Sequence, residues 1–72
     1  MIFYRSSNGI WNNLNLYNRI YIDEHSTGWA IKAIMFCADG KEVVHFLEHD
    51  FEDHEEAMHK LDKIMKKHNK NN

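Results

Sequence analysis

Six histidines in 72 residues raise a metal site as the first chemistry to consider, because neutral imidazoles with carboxylates suit zinc or another divalent transition metal. A mononuclear site needs three or four such ligands converging at about 2 Å. His45 and His49 share one face of an expected strand but stand two pleats apart, while His54 and His59 differ by five residues and are rotated widely around an expected helix. The spacing delivers no site within one chain, so solvated histidines on polar faces are expected and no metal ligand or cofactor is assigned. A histidine site formed only across a dimer is the remaining metal alternative.

Nucleophilic chemistry finds still less support. Cys37 is the only cysteine, and it lies on a strand entering the Asp39-Gly40 turn with no basic cluster or helix N-terminus to lower its pKa. An inert thiol, buried or half-buried, is expected there. Ser6, Ser7, Ser26 and Thr27 read as turn residues, and the adjacent acids Asp23-Glu24 and Glu55-Glu56 point in different directions within their elements. Gly9, Gly28 and Gly40 are isolated, so there is no glycine-rich phosphate loop. No catalytic residue emerges, and a non-enzymatic protein is expected.

Charge is more informative in its distribution than in its sum. Nine Lys plus Arg against eleven Asp plus Glu give a formal charge of −2, too small to draw nucleic acid or an anionic membrane to the chain as a whole. From Glu42 to Glu56, however, seven acids occur without one Lys or Arg, among them Glu48, Asp50, Glu52 and Asp53. Such a block can attract a basic partner surface, although an acidic helix start and a solvated strand end are its ordinary explanation. Lys60, Lys63, Lys66, Lys67 and Lys70 form the opposite block, which could touch phosphate but is by default a solvated helix face.

These residues must be positioned by one small domain. A composition 43% hydrophobic and 28% charged, without proline, is too apolar for disorder. A chain this short buries only roughly 60% of the surface its unfolded form exposes, so a single core must carry the fold, or share the load with a second copy. The lone cysteine rules out an internal disulfide and suits a reducing cytoplasm. Met1 to Arg5 lack the pattern of a signal peptide, and no stretch approaches the roughly 20 apolar residues of a membrane span, so a cytoplasmic chain with no membrane partner is expected.

Asn8-Gly9 and Asp39-Gly40 mark two hairpins. The first would join Ile2–Arg5 to Ile10–Asn12, and the second Trp29–Ala38 to Lys41–Glu48. Between them Ile20 and Ile22 alternate with Arg19, Tyr21 and Asp23 in a strand reaching His25, after which Ser26-Thr27-Gly28 turns into Trp29. The asparagines at 12, 13, 15 and 18 make the approach to that strand irregular. Ala57, Met58, Leu61, Ile64 and Met65 form one stripe of an amphipathic helix from about His54 to about His68. Asp53 is its expected N-cap, and Glu56 can reach back in a capping box. The expectation is an α+β domain over residues 1–68, an antiparallel β-meander of three to five strands packed by one C-terminal helix, with 69–72 as a polar tail.

The second hairpin poses the functional question. Trp29, Ile31, Ala33, Met35 and Cys37 point one way, and Ala30, Ile34 and Phe36 the other, interrupted only by Lys32. Both sides are apolar, as are both sides of the neighbouring strand, with Val44 and Phe46 on one and Val43 and Leu47 on the other. One helix cannot cover both. A homodimer that packs the uncovered faces or joins edge strands is the first explanation, and the N-terminal segment folded over the second face is another. A third is a surface kept for another protein, anchored by Trp11, Tyr17, Tyr21, Trp29 or Phe36 and rimmed by the acidic block.

The run Gly9-Ile10-Trp11-Asn12-Asn13-Leu14-Asn15-Leu16, with Arg19 to Ile22, Gly28 to Ile31, Phe51, Glu55 to Ala57 and Leu61, resembles small uncharacterised proteins of Gram-positive bacteria and their phages. The resemblance covers most of the chain through fold-making positions and brings no catalytic residue. It implies a β-meander with a closing helix and a binding or inhibitory role against a host protein. The strand-then-helix order is also similar to dimeric single-strand DNA-binding folds, which would use Tyr17, Tyr21, Trp29 and the helix lysines. Beyond Arg5 in the first hairpin, the expected strands and turns carry only Arg19, Lys32 and Lys41 as sheet cations, few for such a role.

Overall fold

The computed structural model describes the backbone of residues 3–70 and the side chains of residues 3–67. Strands β1 (Phe3–Arg5) and β2 (Trp11–Asn13) form a short antiparallel hairpin, followed by a single 3-10 turn at Leu14–Leu16. Strands β3 (Arg19–His25), β4 (Gly28–Phe36) and β5 (Glu42–Phe51) then form an antiparallel meander in the order β3-β4-β5, and helix α1 (His54–Lys70) closes the chain. The expected α+β meander with one C-terminal helix is the observed fold.

Both glycine hairpins use the same turn. The Gly40 N–H bonds the Cys37 carbonyl and the Cys37 N–H bonds the Lys41 carbonyl, a pattern that Ser6, Gly9 and Ile10 repeat. In the second turn only Gly40 takes a positive φ, of 86°, so Asp39 remains in the ordinary region, and its carboxylate accepts the Lys41 N–H instead. The first hairpin starts its return strand at Trp11 rather than Ile10, and Ile2 lies outside the described residues. Gly28 is not a turn residue: it pairs with His25 inside the ladder and leaves Ser26-Thr27 as the tip.

The asparagine-rich stretch is irregular because its side chains replace ladder bonds. Asn12 is buried and donates to the Tyr4 and Ile10 carbonyls, Asn13 accepts the Asn15 N–H to cap the 3-10 turn, and Asn18 accepts the Phe36 N–H at the end of β4.

One feature of β5 was not legible in its alternation. Ile31 pairs with Glu48 while the next residue, Lys32, pairs with Phe46, so Leu47 is an extra residue and the consecutive side chains of Leu47 and Glu48 are both buried. A second shift follows before Trp29 meets Phe51, and there Asp50 adopts a φ of 68°. These bulges separate the histidines expected to share a face. His45 meets Tyr17 on the helix side, and His49 meets the Phe46 ring on the other.

The helix starts as expected at Asp53, whose carboxylate accepts the Glu56 N–H at 2.8 Å, while the Glu56 carboxylate reaches back to the N–H of Glu52. It continues to Lys70, two residues beyond its expected end and into the expected tail, because neither Gly nor Pro interrupts it and its terminal lysines suit the C-terminal end of the dipole. The side chain of Lys70 and residues Asn71 and Asn72 lie outside the described residues. Ala57 and Ile64 are buried, and Leu61 and Met65 pack beside them; Met58 is exposed and leaves the stripe. The core joins Leu14, Ile31, Ala33, Leu47 and Ile64, with Tyr4, Tyr17, Ile20, Ile22 and Phe51 around it.

Candidate functional site

Residues from the N-terminal hairpin and the helix belong to the same core, so both pack on one face of the meander. The N-terminal segment therefore does not fold over the second face, as one reading of the sequence had it. The reason is polar as well as apolar. Tyr4 donates to Glu48 Oε2 at 2.8 Å, and Ser7 gives both its N–H and its hydroxyl to Glu48 Oε1 at 2.8 Å, so the hairpin is fastened to the bulge in β5.

Glu48 is consequently only 8% exposed. Burial pushes its carboxyl up, but the Ser7 and Tyr4 donors and the Lys60 charge outweigh burial and hold it below the usual carboxylate range. Burial and the same carboxylate hold the Tyr4 hydroxyl far above its ordinary value, so it stays a donor. This trio is a structural clasp that composition did not disclose, since Ser7 reads as a turn residue and Glu48 as one member of an acidic run. An acid directly after a core leucine, where strict alternation fails, was the available signal.

The opposite face is laid out in rows by strand register. Tyr21, Lys32 and Phe46 form one row across β3, β4 and β5; Arg19, Ile34 and Val44 form the next; Phe36 and Glu42 form the last. Lys32 donates to Asp23 at 2.7 Å, and its ammonium stands 5.0 Å from the centre of the Phe46 ring, which the His25 ring also meets edge-on at 5.7 Å. The contact with Lys32 holds the Asp23 carboxyl below its ordinary range. The His25 Nδ1 lies 3.3 Å from the Thr27 hydroxyl. The face is otherwise open: Phe46 itself is 46% exposed, and beyond the cluster Phe36 is 52% and Val44 45% exposed.

The sequence-nominated anchors divide between the faces. Tyr21 and Phe36 lie on the open face, whereas Tyr17 is half-buried on the helix side, bonded to Asn12 and His45, and Trp29 packs against the His54 ring at 4.9 Å. Trp11 is 64% exposed and pairs with Arg5 in the first hairpin. Of the acids, Glu48 is internal, Asp50 pairs with His49 at 2.8 Å, and Glu52 and Asp53 serve the helix start. Val44 and Phe46 are face residues that were read only as part of an apolar alternation.

Cys37 is exposed, not buried or half-buried, because β4 ends at Phe36 and leaves it in the turn. Among the described residues no three His, Cys, Asp or Glu side chains gather to hold a metal ion, and no helix is long and apolar enough to cross a membrane. No protein-family model, no curated protein and no solved structure matches the chain. The chemistry of the open face therefore carries the functional reading.

Proposed function

We propose that this chain is a small non-enzymatic binding protein that acts through protein–protein contacts, with the open face of its meander as the recognition surface. One observation carries the proposal: the helix and the first hairpin share one side of the sheet, which leaves Phe36, Val44 and Phe46 half-exposed on the other. Two half-exposed aromatics with Val44 in the row between them form an apolar patch that a partner can desolvate, and aromatics are the usual anchors of such interfaces. Asp23, Glu42 and Lys32 supply a polar setting that favours a partner with basic groups at its rim. The resemblance to small uncharacterised proteins of Gram-positive bacteria and their phages, through the binding or inhibitory role that it implies, points the same way, toward a host protein partner in the cytoplasm.

A nucleic-acid-binding module is the alternative, and the site supports it less. Tyr17 and Trp29 are turned away from Tyr21, and Lys32, the cation at the centre of the open face, is already paired with Asp23. The two readings separate in one affinity-capture experiment from host lysate with three forms of the protein. A stoichiometric protein partner retained by the unaltered chain and by Trp11→Ala, and lost from the Phe36→Asp, Phe46→Asp double variant while its circular dichroism stays that of the folded chain, is the expected result. Retention by the double variant, or salt-sensitive recovery of nucleic acid instead, would overturn the proposal.

A further inference from the structure

The two edges of the meander are unlike. The β5 edge is interrupted by two register shifts and by the positive φ of Asp50, the kind of distortion that prevents another strand from adding. The β3 edge runs regularly from Arg19 to His25, with no register shift against β4 and, among the described residues, no strand on its outer side. A regular edge offers a row of unpaired N–H and C=O groups to a further strand.

We infer that the β3 edge pairs antiparallel with β3 of a second copy about a twofold axis at Tyr21. In that register Tyr21 faces its own counterpart, Ile20 faces Ile22, and Arg19 faces Asp23, each of the last two pairs occurring twice by symmetry. The faces agree as well as the charges. Tyr21, Arg19 and Asp23 lie in the open-face rows, while Ile20 and Ile22 are partly buried beside the core on the helix side. Arg19 is exposed and has no ion-pair partner among the described residues, and the Asp23 carboxylate accepts from Lys32 through Oδ2. A carboxylate has acceptor sites to spare for a second cation. The neighbouring register, centred on Ile22, would instead set Ile20 against Glu24 and Arg19 against His25, which matches neither charge nor polarity. The result is a continuous six-stranded sheet with both helices on one side and both open faces joined on the other.

This pairing uses the strand edge and leaves the open face free, so it stands or falls separately from the proposed partner binding. The test is native mass by light scattering over a concentration series, with oxidative cross-linking in a Cys37→Ser background. The unaltered chain is expected to be a dimer. Arg19→Asp, which sets like charges opposite each other twice, is expected to raise the dimer dissociation constant by about tenfold or more without changing circular dichroism or, at concentrations low enough that both forms are monomeric, the denaturation midpoint. Tyr21→Cys is expected to form a disulfide-linked dimer, and Thr27→Cys, at the hairpin tip and far from the axis, is not. A strict monomer at the highest attainable concentration overturns the inference. So does a dimer indifferent to Arg19→Asp and dissociated by Phe46→Asp, which would be packed face to face.

Discussion

The Tyr4 hydroxyl donates to a buried carboxylate, Glu48 Oε2, at 2.8 Å across 44 residues of sequence. With the two bonds from Ser7, this carboxylate receives three donors and carries its charge inside the structure at little net cost. The β5 bulge makes the contact: without the extra residue at Leu47, strict alternation would turn Glu48 to the other face.

Tyr4→Phe keeps the ring and its place beneath the Lys60 ammonium and removes one donor to the carboxylate. The expected loss is about 1–3 kcal/mol in folding free energy at neutral pH, read from urea denaturation with an unchanged m-value.

Stability is expected to fall in acid through Glu48. Its folded-state pKa lies below its unfolded value of about 4.3, so its contribution is present above that value and is lost as pH falls through the folded one. Tyr4 gives the opposite limb: its folded pKa is raised, so its contribution is complete below about pH 10 and declines as pH rises beyond it. Glu48→Gln should flatten the acid limb, which denaturation midpoints between pH 3 and 7, about the range that spans carboxylate titration, would show.

Gly28→Ala tests a close approach between strands. Gly28 has a φ of 136°, and a Cβ there would lie 2.4 Å from the Phe51 carbonyl oxygen, which is backbone and cannot swing aside. A loss of about 3 kcal/mol or more is expected, enough to unfold a domain of this size at moderate temperature. A thermal melt shifted by only a degree or two would contradict the packing of β4 on β5.

Asp50→Gly should be neutral or stabilising by up to about 1 kcal/mol, since glycine removes the left-handed strain at a φ of 68° while adding unfolded-state entropy. Asp50→Ile should cost about 1–2 kcal/mol at the same position. Paired chemical denaturation of the two variants gives the comparison.

The helix and the second hairpin were readable because their signals are local: an N-cap with a following glutamate, a 3.6-residue stripe, and Asp39-Gly40 between two β-branched runs. The apolar character of both sheet faces was equally plain at Ile31 and Ile34. Which face stays open was not, because that depends on Tyr4 and Ser7 finding Glu48, contacts that span more than forty residues. The bulge at Leu47 was hidden for a related reason. Period-two alternation records orientation only while the ladder is regular, so His45 and His49 read as neighbours although they lie on opposite sides.

The fastening of the hairpin also sets an order in time. Strands β3, β4 and β5 join neighbours in the chain through short turns and can close early, whereas β1 and β2 are tied to β5 only after a loop of more than forty residues has been gathered in. Native-state hydrogen exchange should therefore find residues 3–13 opening at lower free energy than the meander. In that order the sheet with the open face forms first, and the core shared with Tyr4 and Leu14 is completed last.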